Sequence, residues 1–313
     1  MVSAKKSLDG IHAATVAPLK NDFSIDHTVL KDHIMDVCSN HGIKGLLING
    51  HAGENAQLSS LEKTDVVRSV REVVSNCIFV TSGLYSENTL NAVKEAGAAE
   101  CAGADALLVF PPNGWALGQE RRTIVAHHKA IASATQLPIL LYQAPVFAAG
   151  MAYDTDTLLE LAAIDGVIGV KEGSWEVARY DANLRVLKKQ DPEFIVLGSG
   201  DEHLLASYMM GSDGSQVSMA SVVPEMVVAL WEAANSGTWE KAKFLHNLMY
   251  PLSTAIYGAS PSGRANSRLK TCLKILGKLP SDLMRPPTQG LPQEEYQVLK
   301  KALDFAIEGF ESF

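Results

Sequence analysis

The 313-residue sequence predicts an α/β fold, a (β/α)8 TIM barrel with a C-terminal helical extension, on three observations. Short apolar runs recur eight times, a segment of helical periodicity follows each, and after Ser236 the strand-like runs stop. The runs start at Ile11, Lys44, Cys77, Asp105, Leu137, Gly166, Phe194 and Ser215, with successive starts 21 to 33 residues apart. Most are continuously apolar and rich in Val, Ile or Leu, as strands covered on both faces are.

The first run, IHAATVA, leads to a helix predicted over 27–41, with Asp26 placed to cap it. KGLLING precedes a helix over 61–74, where Ser59 and Glu62 have the spacing of a capping box. CIFVTSG leads to an Ala- and Glu-rich segment over 88–101, and DALLVF to 121–134. LPILLY, GVIGVK, FIVLGS and SQVSMA lead to 155–163, 176–189, 202–210 and 224–235. Eight alternations ask for parallel strands with right-handed crossovers, and eight units close naturally into a barrel. The alternative is an open doubly wound sheet, whose dinucleotide-binding form wants G-x-G-x-x-G after the first strand; none is present. Residues 1–235 are therefore expected to form the barrel. Over 236–313, helices are expected at 240–257, 262–276 and 293–310, joined by the Pro-rich KLPSDLMRPPTQGLPQ and packed on the barrel as an extension.

Composition narrows the function classes. Hydrophobic residues make up 47% and charged ones 20%, ordinary values for a soluble globular chain. With 27 Lys plus Arg against 35 Asp plus Glu, the net charge of −8 offers no footprint for nucleic acid or an anionic membrane. No apolar stretch approaches the ~18 residues that span a bilayer. Cys38, Cys77, Cys101 and Cys272 form no C-x-x-C pair, and the N-terminus lacks a signal-peptide core. Reduced thiols and a cytoplasmic location are expected.

Barrel enzymes carry their chemistry at the C-terminal strand ends, which directs attention to Lys171. It closes the apolar run Val167–Val170, so its ammonium is expected in the barrel mouth, where desolvation lowers its pKa and frees an amine nucleophile. The competing reading is a strand cap paired with Glu172 or Asp201. Tyr142 ends the preceding strand, either as a proton-shuttling phenol beside Lys171 or as a core tyrosine. The adjacent residues of His127-His128 and of Asp201-Glu202-His203 diverge around a helix and read as solvated faces or caps, so no metal site is expected. Trp115 either lines the mouth or covers a loop.

These residues resemble the dihydrodipicolinate synthase/N-acetylneuraminate lyase family of class I aldolases. The opening G-x-x-x-A-x-V-A-P-L, the G-x-x-G-E loop over 50–54, L-Y-x-x-P over 141–145, G-V-K-E over 169–172 and V-L-G-S-G-D followed by G-x-D-G match in order and spacing. The resemblance implies a cytosolic barrel, a homotetramer, and no metal or organic cofactor. It also implies that Lys171 is the Schiff-base lysine, that Tyr142 is the catalytic tyrosine, and that Gly50, Ala52 and Gly53 cradle the substrate carboxylate. Backbone N–H groups in such a loop suit that role.

Four departures bear on the substrate. His51 and Ala52 stand where the family carries hydroxyl residues, leaving His51 either an acid–base group or a hydrogen-bonded filler. Pro112 and Asn113 replace a tyrosine pair, and Phe147 replaces an arginine that holds a second carboxylate. Gln216 adds an amide on the eighth strand. Together with Gly198, these make the expected site. The expected reaction is retro-aldol cleavage or dehydration of a hydroxylated or 3-deoxy 2-oxo acid. A dihydrodipicolinate synthase proper, a related hydratase-aldolase or deaminase, and a non-catalytic binding barrel are the alternatives.

Overall fold

The computed structural model describes residues 7–312. Eight parallel strands close in sequence order: β1 (Gly10–Ala14), β2 (Ile43–Ile48), β3 (Phe79–Leu84), β4 (Ala106–Val109), β5 (Ile139–Gln143), β6 (Val167–Glu172), β7 (Ile195–Gly198) and β8 (Gly214–Val217). β8 pairs back onto β1, with Gln216 opposite His12. The strands are buried almost throughout, which accounts for their continuously apolar sequences.

Helices α1 (His27–Ser39), α2 (Ser60–Arg71), α3 (Thr89–Ala102), α4 (Arg121–Ala132), α5 (Thr155–Ala162), α6 (Val177–Gln190) and α7 (Leu204–Met209) follow the first seven strands. Asp26 caps α1 through the amides of Thr28 and Val29, and Ser59 with Glu62 closes a reciprocal capping box on α2. The eighth run is shorter as a strand than SQVSMA suggests. Met219–Val222 turns into a short helix, α8, before Pro224 starts α9 (Pro224–Asn235) at its first position, where proline costs no hydrogen bond.

Beyond Ser236 lie α10 (Trp239–Ser253), α11 (Ala265–Ile275) and α12 (Gln293–Glu311). The helix expected over 240–257 changes character inside its last turn: Thr254–Gly258 is a π-helical turn, three residues after the in-helix Pro251. A proline lacks the N–H for the regular ladder, and π turns occur where such a ladder is interrupted. These helices share one apolar cluster with the barrel, through Leu245, Leu252, Ile256, Leu269 and Leu273.

The charges that hold this segment down are themselves buried. Arg268, with no exposed surface, pairs with Glu295 of α12 and donates to the carbonyls of Ile256, Ala259 and Pro261 at 2.8, 2.9 and 3.2 Å. Two residues on, buried Lys270 pairs with Glu54 in the loop after β2. The C-terminal helices are thus tied by paired charges to the strand-end loops.

Candidate active site

Lys171 occupies the fifth position of β6, and its partner across the ladder is Tyr142 of β5. Register partners present their side chains to the same face, so both point into the barrel mouth. The Lys171 Nζ lies 6.0 Å from the centre of the Tyr142 ring. Glu172, one residue on, faces the opposite way. Its carboxylate accepts from Ser174 Oγ at 2.9 Å and Asn183 Nδ2 at 2.8 Å, and no ion pair with Lys171 forms. Asp201 does not cap the lysine either; its Oδ1 accepts the Met219 amide at 2.9 Å. Among the described residues, the Lys171 ammonium has no ion-pair partner, although the side chain is only 8% exposed.

Burial lowers the Lys171 pKa, and the nearby Asp201 charge opposes that shift without cancelling it. The same burial raises Asp201. Tyr142 is pushed well above the usual phenol range by burial and secondarily by the Glu172 charge, so it stays a neutral hydroxyl at physiological pH. A partly neutral amine beside a neutral phenol is a pairing suited to attack on a carbonyl.

His51 packs its imidazole against Phe110, 4.4 Å between centroids, and edge-on to Tyr142 at 5.1 Å. It remains exposed on one side to the cavity. The surrounding protein, and then the Lys171 charge, hold its pKa below the ordinary histidine value; the open side moderates that depression. Its carbonyl accepts from Asn266 Nδ2 of α11 at 2.7 Å. The loop is tightly turned, with Asn49 at φ 52° and Glu54 at φ 58°. Glu54 and Asn55 spend their amides on the His51 and Gly50 carbonyls, whereas those of Ala52 and Gly53 have no acceptor among the described residues. Two free amides in a turn form a small anion-binding concavity.

Lys171, Tyr142, His51, Ala52 and Phe147 line one cavity of about 400 Å³. The other expected residues lie elsewhere. Gly50 and Gly53 shape the loop without lining the cavity; a Cβ on Gly53 would come within 3.3 Å of the Asn49 backbone. Asn113 is exposed, in the turn Asn113–Leu117, and its amide donates to Glu87 at 2.9 Å. The β4 loop therefore turns away from the cavity at this residue. Gln216 is fully buried within the barrel, its amide 3.3 Å from Thr81 Oγ1, so it adds a polar contact to the barrel interior and not to the cavity. Gly198 packs against α7, where an added Cβ would come within 2.7 Å of Ser207 Oγ.

His127 and His128 are not on a solvated face. Both are buried, His127 against Trp115 at 5.3 Å and His128 between the Ile124 carbonyl and the Tyr153 hydroxyl. Trp115 is itself buried there and does not line the cavity. Both histidines fall on the inner face of α4, three and four residues after Ile124 and therefore on its side of the helix.

Several lining residues escaped the sequence reading. Trp175 follows β6, Ser218 follows β8, and Tyr257, Ser262 and Asn266 come from the segment beyond Ser236. Ser218 Oγ and Tyr257 OH lie 2.6 Å apart, and the Tyr257 ring is 5.4 Å from Trp175. The only local signal was Ser218 and Asp201 at strand ends; nothing near Tyr257 in the chain marks it as part of a site.

Residues 7–306 match the Dihydrodipicolinate synthetase family. The 4-hydroxy-tetrahydrodipicolinate synthase of Neisseria meningitidis serogroup B is 32% identical over 251 residues, covering 80% of this chain and 84% of that protein. The protein of the same name from Archaeoglobus fulgidus is 32% identical over 302 residues, covering 94% and 97%. Among solved structures, the 4-hydroxy-tetrahydrodipicolinate synthase of Methylacidiphilum fumariolicum superposes with a TM-score of 0.88 at 26% identity, covering 97% of this chain and 98% of that one. The sialic acid aldolase of Ruminococcus gnavus shares the fold, with a TM-score of 0.87 at 23% identity over 98% and 99%. The chain is a lyase-type barrel that belongs to the dihydrodipicolinate synthetase family.

Proposed function

We propose that this protein is a class I aldolase or dehydratase that holds a pyruvate-like 2-oxo acid as an imine on Lys171. One observation carries the reading: a buried amine at a strand end faces a cavity with no ion-pair partner among the described residues and a neutral phenol beside it. The amine attacks C2, and the carbonyl oxygen leaves as water while the imine forms. In a 4-hydroxy substrate, the C4 hydroxyl then gives up its proton and the C3–C4 bond breaks. The bond's electron pair moves into the imine as an enamine, and the aldehyde departs. Protonation at C3 and hydrolysis of the imine return the shortened 2-oxo acid and the free lysine. Dehydration uses the same sink: C3 loses a proton and C4 loses hydroxide. Tyr142 is the proton carrier in this scheme, and the free amides of Ala52 and Gly53 receive the substrate carboxylate.

The test is reductive trapping. Pyruvate with borohydride is expected to add mass to the peptide bearing Lys171, and Lys171→Ala is expected to abolish both trapping and turnover in a folded protein. Turnover by folded Lys171→Ala would overturn the reading.

A further inference from the structure

We infer that the substrate half beyond the 2-oxo acid is an uncharged aryl group, so that the aldehyde released or accepted is aromatic. This rests on the imine reading above and concerns the other end of the same cavity. Charge gives the first argument. Among the residues lining the cavity, Lys171 is the one lysine or arginine, and the imine consumes it. A second carboxylate would meet Phe147 and the Asp201 carboxyl, with no guanidinium or ammonium to pair with, and an unpaired charge in a partly desolvated pocket is strongly disfavoured.

Hydrogen bonding gives the second. A polyhydroxylated chain needs several free polar partners, yet four of the polar side chains on this wall are already engaged, and beyond His51, Tyr142 and Lys171 the Ser199 and Ser262 hydroxyls are those left over. Ser218 and Tyr257 share a hydrogen bond of 2.6 Å, Asp201 takes the Met219 amide, and Asn266 donates to the His51 carbonyl.

The third argument is the apolar surface. Phe147 is 73% exposed at the rim of the cavity, and Met151 and Leu269 line it too. Trp175 sits at φ 58°, a left-handed conformation that a bulky residue seldom adopts, and only partly buries its ring, beside Tyr257. Strained residues of this kind gather at ligand sites. Two large rings, Phe147 and Trp175, border one cavity and supply aromatic surface against which an aryl group can pack. In the reaction, the aryl group is carried on C4: breaking C3–C4 leaves the aryl aldehyde, while the electron pair passes to the Lys171 enamine.

The experiment offers the full-length protein pyruvate with benzaldehyde, glyceraldehyde or succinic semialdehyde and follows aldol formation. Benzaldehyde is expected to exceed either competitor in kcat/KM by roughly 100-fold, the range that pocket complementarity can supply. Phe147→Arg is expected to lower kcat/KM for benzaldehyde and to raise it for succinic semialdehyde. If pyruvate still traps on Lys171 but benzaldehyde is turned over no better than the other two, the aryl assignment is overturned and the imine chemistry stands. If pyruvate fails to trap on Lys171 at all, the imine reading itself falls, and this inference with it.

Discussion

One residue separates opposite roles at the end of β6. Lys171 enters the cavity with no ion pair among the described residues, while Glu172 turns outward and is satisfied by Ser174 and Asn183. Strand alternation makes that division, and it is legible from the sequence. His51 was less legible. Its position after β2 predicts a place beside Lys171, but its ionisation depends on what surrounds it. An ordinary imidazole would titrate near neutrality; here the Phe110 and Tyr142 rings and the lysine charge displace the titration to lower pH. A base with a lowered pKa stays competent until the pH falls below that value, so the acidic limb of the pH–rate profile should lie below the ordinary imidazole value of 6.5, towards about 4. His51→Gln is expected to lower kcat by ~10²–10⁴-fold and to remove that limb. Near-normal kcat with an unaltered limb would reduce His51 to a hydrogen-bonding residue.

At the scale of elements, α11 governs the C-terminal wall. Arg268 holds three carbonyls on both sides of Tyr257, and Lys270 holds Glu54 behind the His51 loop. Arg268→Met would leave those carbonyls without their donor and Glu295 with Arg264 as its remaining partner. Breaking a buried charge pair from one side costs about 3–5 kcal/mol, and a loss of that size is expected in urea unfolding. A loss under ~1 kcal/mol would show that water or neighbouring groups take over the arginine's contacts. The helices themselves were readable from their period and caps, as Asp26, Ser59 and Pro224 show. The π turn at Thr254–Gly258 was not, because Pro251 signals a break without specifying how the freed carbonyls are re-satisfied.

Over the whole molecule, buried histidines make stability depend on pH. His12, His33 and His128 are fully buried, and burial brings each from 6.5 down to about 4. The unfolded chain takes up a proton near 6.5 that the folded chain refuses until about pH 4, so stability is full above the first value and lost progressively towards the second. The unfolding free energy from urea titrations should fall between pH 7 and pH 5, by on the order of 1–2 kcal/mol for each imidazole. A flat profile would mean that these rings are protonated and paired in the fold. We also propose a homotetramer, expected as a single species of four-chain mass in sedimentation; a monomer at micromolar concentration would contradict it. One solved relative, at 24% identity, is described as a monomeric variant of a dihydrodipicolinate synthase.

The sequence by itself determined the eight-unit barrel and the neighbouring placement of Tyr142 and Lys171. Both follow from local rules: burial on two faces makes a strand continuously apolar, and adjacent parallel strands end side by side. The tertiary structure alone decided which strand-end residues converge. It turned Asn113 outward onto Glu87, drew Gln216 into the barrel interior, and brought Tyr257 and Asn266 from beyond the barrel onto the cavity wall. The Asn266–His51 contact joins positions 215 residues apart. No periodicity or motif encodes such a contact, because it depends on how α11 docks across the strand ends, and that docking is set by Arg268, Lys270 and the shared core.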